Sequence, residues 1–147
     1  NFNCPGQIVI SGHAKAVERA IERVKKDGKK AVSLAVSAPF HSPLMKPAGE
    51  RLEKALEEIS VNDLKVPVVT NVEAEVNALK ERVKALLVTQ VSSPVRWEES
   101  MRKMIERGIE RVLEIGPGKV LSGLMKRIDS RIEAGNLEDL QTLRKIS

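Results

Sequence analysis

At 147 residues, with 41% hydrophobic and 31% charged residues and a formal net charge of +5, the chain is long enough for one domain with a core and too short for two independent ones. Phe2, Phe40 and Trp97 are the only aromatics and the basic residues alternate with acidic ones, which argues against nucleic-acid binding, while no apolar run approaches the ~20 residues of a membrane span. Cys4 as the single cysteine and His13 and His41 as the only histidines can build neither a disulfide framework nor a zinc cluster, and fit a reducing, cytoplasmic setting.

Asn1 to Ile10 reads as the interior of a fold, so more chain is expected before it. Gln7 to Ser11 is a short β-rich run. From Ala14 to Lys26, Ala16, Val17, Ala20, Ile21 and Val24 recur at helical spacing, and Asp27-Gly28 closes that helix. Lys30 to Val36 alternates apolar and polar residues weakly, predicting a second strand and a β-α-β unit. After a boundary at Val36 to Pro39, Pro43 suits a first helical turn, and Leu44 to Ile59 carries Leu52, Ala55, Leu56 and Ile59 as one stripe. Val66 to Val72 reads as a strand, Leu79 to Val91 and Trp97 to Gly108 as helices, and Arg111 to Ile115 as a strand. Gly116-Pro117-Gly118 then turns into a helix over Lys119 to Ile128. Arg131 to Ala134 is a short strand, and Asn136 to Ile146 a closing helix capped by Asn136 with Glu138 and Asp139 in its first turn. Such alternation predicts an α/β architecture, with part of the sheet parallel and helices on both faces.

His41, in Ser37-Ala38-Pro39-Phe40-His41-Ser42-Pro43-Leu44-Met45, is the residue best suited to chemistry. An imidazole titrates near neutral pH, and Pro39, Phe40 and Pro43 make a rigid, apolar surround for a general base. The plainer alternative is a space-filling histidine at a helix start. The chain contains no Gly-x-Ser-x-Gly elbow, so a serine served by His41 lies outside it. The Gly116-Pro117-Gly118-Lys119 amides could face an anion, although a glycine-lined tight turn is the simpler reading. Lys25, Lys26, Lys29 and Lys30, with Lys126 and Arg127 on a later helix, are either solvated faces or attractors of an acidic partner. Asn3 is a turn former or a pocket hydrogen-bonding group, and Cys4 a small buried residue. His13 receives no role.

Four segments in register carry a resemblance: Asn3-Cys4-Pro5-Gly6-Gln7-Ile8-Val9-Ile10-Ser11-Gly12, Phe40-His41-Ser42-Pro43-Leu44-Met45, Ser93-Pro94-Val95-Arg96-Trp97 and Glu114-Ile115-Gly116-Pro117-Gly118-Lys119-Val120-Leu121. Together the chain resembles, over essentially its whole length, the C-terminal half of the bacterial malonyl-CoA:acyl carrier protein transacylases. The resemblance implies ping-pong transfer of malonyl from coenzyme A, through an elbow serine, to the phosphopantetheine thiol of acyl carrier protein in fatty acid synthesis. His41 matches the catalytic histidine and Gln90 the residue whose main-chain carbonyl orients it. Phe40 matches a position where bulk disfavours an α-methyl branch, and Asn3 a pocket-lining asparagine. Lys29, Lys30, Lys126 and Arg127 become candidates for docking the acidic carrier.

By the same resemblance, residues 1–36 are the second half of a small ferredoxin-like subdomain and 37–147 the C-terminal part of a large hydrolase-like α/β subdomain. No cofactor or metal is implied: malonyl-CoA is substrate and phosphopantetheine belongs to the partner. The elbow serine, the arginine for the malonyl carboxylate and the glutamine-bearing oxyanion segment are expected in a missing N-terminal half, leaving this chain inactive alone. A polyketide synthase acyltransferase shares the His41 context, and a non-catalytic module that holds an acidic carrier protein is the alternative from another class.

Overall fold

The best-formed part of the molecule follows from three adjacent apolar patterns near the C-terminus. In the computed structural model, which describes residues 1–144, Arg111–Ile115 and Glu133–Leu137 form parallel strands connected by the helix Val120–Ile128. Leu124, Met125 and Ile128 share one stripe of that helix and are buried together with Met101, Ile132 and Cys4. Trp97, Met104, Ile105, Val112 and Ala134 pack around them. Met125 is 1% exposed, at the centre of this cluster.

In chain order the elements are β1 (Phe2–Cys4), β2 (Gln7–Ile8), α1 (Ala14–Lys26), a 3₁₀ turn (Pro43–Met45), α2 (Lys46–Glu57), β3 (Val68–Val69), β4 (Val76–Asn77), α3 (Lys80–Ser92), α4 (Trp97–Glu106), β5 (Arg111–Ile115), α5 (Val120–Ile128), β6 (Glu133–Leu137) and α6 (Leu140–Leu143). Helices and strands alternate over much of the chain, and the class is α/β. The pairing is less uniform than the alternation suggests: β5 and β6 are parallel, whereas β1–β2 and β3–β4 are antiparallel hairpins. Among the described residues no helix is long and apolar enough to cross a membrane.

Backbone and side-chain hydrogen bonds tie the remote segments to the core. The Phe2 N–H donates to the Val95 carbonyl at 2.8 Å. Arg127 on α5 donates to the Gln7 side chain at 2.6 Å and to the Pro5 carbonyl at 2.9 Å, tacking down the β1–β2 turn. The Arg96 N–H donates to the Asn71 carbonyl at 2.9 Å and its guanidinium to the Glu73 carbonyl at 2.8 Å, which fastens the start of α4 to the β3–β4 hairpin.

Four expectations are corrected. The Lys30 to Val36 strand does not form: the segment has no ladder partner among the described residues, and Val32, Leu34 and Val36 are exposed. Alternation supplies a face, but a strand also needs a neighbour for its N–H and C=O groups. The strand expected over Val66 to Val72 contracts to Val68–Val69, the length its hairpin partner covers. The last strand shifts from Arg131 to Ala134 onto Glu133–Leu137, because the ladder with β5 starts at Glu133 and runs on through Asn136 and Leu137. That ladder displaces the closing helix, which begins after Asp139; the Asp139 side chain accepts from the Thr142 N–H in a capping box, and Asn136 is a strand residue rather than a cap. Residues 145–147, including the expected helix end at Ile146, lie outside the described residues.

Candidate active site

Two packing features bring His41 to its partner. Pro43 starts the 3₁₀ turn immediately after the histidine, and α2 then packs on α3. Gly49 is buried at that crossing: a Cβ there would lie 3.6 Å from the Val88 carbonyl oxygen and 3.9 Å from the Val91 Cβ. α3 stops at Ser92, just before Pro94. A carbonyl in the last turn of a helix lacks a full intrahelical partner and carries the negative end of the helix dipole. Gln90 is such a residue, and its carbonyl oxygen lies 3.1 Å from His41 Nδ1.

That contact fixes the chemistry of the ring. A carbonyl oxygen can only accept, so Nδ1 carries the proton and, in the neutral ring, Nε2 carries the free lone pair. The arrangement can therefore take a proton at Nε2, and the same carbonyl stabilises the imidazolium that results. The Gln90 side chain adds rigidity: its Nε2 donates to the Ser93 carbonyl at 3.2 Å and the Pro94 carbonyl at 3.3 Å, closing the end of α3.

His41 itself has φ +57°, in the left-handed region that disfavours side chains by roughly 1–2 kcal/mol. Such a conformation persists only where neighbours hold it. The Ser42 hydroxyl donates to the Pro39 carbonyl at 2.8 Å, and the Ser11 hydroxyl donates to the Phe40 carbonyl. Ser42 is buried and Ser11 exposed. Neither serine stands out in the sequence as a site residue. Ser42 looks like a helix cap yet reaches backwards, and Ser11 lies 29 residues away from its acceptor, where no local pattern points to it.

The remaining candidates are dispersed. Phe40 adjoins His41 and is 48% exposed. Asn3 is half-buried on β1, which packs on α4 and α5, and it is not bonded to the His41 cluster. Lys29 and Lys30 are exposed after α1, and Lys126 is exposed on α5. Arg127 is also exposed but already holds Gln7 and Pro5. A cavity of about 440 Å³ between α5, β6 and α6 is lined by Lys119, Ser122, Lys126, Asn136 and Thr142 and not by His41.

The Gly116-Pro117-Gly118-Lys119 turn is not an open anion cradle. Glu114 accepts the Ser122 N–H at 2.8 Å and the Leu121 N–H at 3.0 Å, and Glu138 accepts the Gly118 N–H at 3.0 Å. The protein's own carboxylates occupy the helix start, and the Ser122 N–H chiefly holds the Glu114 carboxyl below its ordinary range. Gly116 and Gly118, at φ +132° and +90°, supply the turn. Among the described residues no group of three or more His, Cys, Asp or Glu side chains could hold a metal ion.

Comparison with known proteins gives the site its context. The model of the acyl transferase domain family matches residues 1–139. The chain is 51% identical over 144 residues to the malonyl CoA-acyl carrier protein transacylase of Bacillus subtilis, covering 97% of this chain and 45% of that protein. Its backbone superposes on the crystal structure of the Clostridium perfringens malonyl CoA-acyl carrier protein transacylase with a TM-score of 0.94 and 46% identity, over 99% of this chain and 46% of the other. A malonyl-transacylase solved in complex with a type II polyketide synthase acyl-carrier protein matches with a TM-score of 0.94 and 44% identity, over 99% and 47% of the two chains. The chain thus spans about half the length of the relatives it matches. With a family match across nearly all of its residues, the chain belongs to the acyl transferase domain family.

Proposed function

We propose that this chain is the base-bearing half of a malonyl-CoA:acyl carrier protein transacylase of fatty acid synthesis. The observation that carries the reading is the Nδ1 bond of His41 to the Gln90 carbonyl, which leaves Nε2 as the proton acceptor. In the first half-reaction Nε2 takes the proton of a serine hydroxyl supplied by a Gly-x-Ser-x-Gly segment outside this sequence. The serine oxygen attacks the malonyl thioester carbonyl, the C–S bond breaks, and the imidazolium returns the proton to the departing coenzyme A thiolate. The second half-reaction runs the same steps in reverse, with the phosphopantetheine thiol as nucleophile and serine as leaving group. No cofactor takes part.

Phe40 is proposed to stand against the acyl group and disfavour an α-methyl branch, a preference worth ~1–3 kcal/mol. Asn3 is proposed to line the acyl pocket, with Lys29, Lys30, Lys126 and Arg127 attracting the acidic carrier. Residues 1–36 and 37–147 are read as parts of a small ferredoxin-like and a large hydrolase-like α/β subdomain. The exposed Val32, Leu34, Val36, Ile115 and Val120 support the existence of an apolar partner surface, which the serine-bearing half would cover. A cytoplasmic setting accords with the free Cys4.

The test is complementation. A separate polypeptide carrying the serine segment, mixed with this chain and malonyl-CoA, is expected to gain a malonyl-sized adduct by intact mass and pass it to carrier protein. His41→Ala should lower transfer by about 10²- to 10⁴-fold, the range for loss of a general base. Restored transfer that survives the substitution would remove His41 from the mechanism.

A further inference from the structure

We propose that the Ser11 hydroxyl is a positioning group for the His41 base: its bond to the Phe40 carbonyl fixes the peptide plane from which the imidazole projects. The inference rests on reading His41 as the base.

Rotation about the N–Cα bond of His41 swings its side chain relative to the Phe40–His41 peptide. At φ +57° that rotation sits in a region glycine occupies freely and histidine does not. The geometry therefore needs a hold on the peptide itself. Two consecutive carbonyls receive one: Ser42 donates to Pro39 at 2.8 Å, and Ser11 donates to Phe40. Among the described residues no backbone N–H reaches the Phe40 carbonyl, so Ser11 is its donor. The third hold is the ring itself, Nδ1 to the Gln90 carbonyl. With the ring fixed at Nδ1 by α3 and the peptide it projects from fixed by the segment after β2, the Nε2 lone pair keeps one direction. Ser42 is buried and its loss would also disturb packing, whereas Ser11 is exposed and can be truncated without opening a cavity.

Two readouts separate positioning from mere tethering. Ring ¹⁵N chemical shifts of His41 in the full 147-residue chain should report the Nδ1–H tautomer. Ser11→Ala should move the population toward the Nε2–H form favoured by a free imidazole, while Ser11→Thr, which keeps the hydroxyl, should not. In the complemented enzyme Ser11→Ala should lower kcat about fivefold, the population change expected on losing one neutral hydrogen bond, with KM for malonyl-CoA unchanged. An unchanged tautomer ratio together with an unchanged kcat in a folded Ser11→Ala protein overturns the proposal. A tautomer shift in Ser11→Ala, with no transfer by the complemented wild type, supports the positioning role while rejecting the transacylase reading.

Discussion

The segment from Arg111 to Leu137 and the segment from Gln7 to Val36 have similar patterns and different outcomes. Both read as strand, amphipathic helix, strand. In the first, β5 and β6 pair in register from Arg111 opposite Glu133 to Ile115 opposite Leu137, and α5 buries Leu124, Met125 and Ile128 beneath them. In the second, α1 buries no residue, and Lys30 to Val36 runs without a ladder partner. Local pattern is sufficient where the second strand returns beside the first. Where no described strand returns beside the segment, as at Lys30 to Val36, the same pattern leaves Val32, Leu34 and Val36 exposed.

The sharpest way to test this contrast is to truncate one residue on each side. Met125→Ala removes the centre of the core and should destabilise the chain by about 2–5 kcal/mol in urea denaturation. Leu34, 54% exposed, should tolerate Ala within about 0.5 kcal/mol when the chain is alone. Adding a complementing half should change the second result and leave the first: Leu34→Ala should then weaken association of the two polypeptides, measured by titration calorimetry. Equal stability losses for both substitutions in the isolated chain would show that the N-terminal segment is already packed, and the contrast would fail.

The same division governs how much of the fold is legible in the sequence. Helices α1, α3, α4 and α5 were legible to within a few residues, because an apolar stripe at helical spacing needs only a surface to lie on. Strand β5 was legible because five residues between turn signals leave few registers. The short β1, β3 and β4 are defined by cross-strand pairing, such as Val68 with Asn77, and carry little pattern of their own. In the site, His41 stood out by its residue type and its proline-rich surround. Only the family resemblance singles out Gln90, since what it contributes is a carbonyl that any residue possesses. Ser11 was invisible as a site residue, because its acceptor is 29 residues downstream and is again main chain. Side chains that act on backbone atoms leave little trace in a single sequence.

Arg127 joins the two regions, so its removal should loosen one without unfolding the other. Arg127→Ala abolishes the bonds to Gln7 and Pro5, an exposed pair of contacts worth about 1 kcal/mol. The expected result is faster hydrogen exchange at β1 and β2 with protection of β5 and β6 unchanged. Lys29→Ala/Lys30→Ala should leave both regions intact. Under the docking reading it should weaken carrier-protein binding by a few-fold at low salt, and the difference from wild type should shrink as salt rises. A difference independent of salt would point away from electrostatic docking.

The smallest effect concerns acid stability in the well-formed region. Asp129, after α5, accepts from the Arg131 guanidinium at 2.6 and 2.9 Å and from the Arg131 N–H at 3.0 Å. The guanidinium bond is the main reason its carboxyl falls from an ordinary 3.8 to about 2, with the backbone bond next. A carboxyl whose pKa is depressed on folding binds protons more readily when unfolded, so its contribution is fully present above 3.8 and is lost as pH falls from there toward about 2. Asp129→Asn should therefore flatten the decline of stability across that acidic window, without changing the slope between pH 5 and pH 7. Parallel denaturation series of the two proteins would reveal it. Curves that fall in parallel through the acid range would mean that the Arg131 contact does not survive in solution, and that the turn between α5 and β6 is held by its backbone alone.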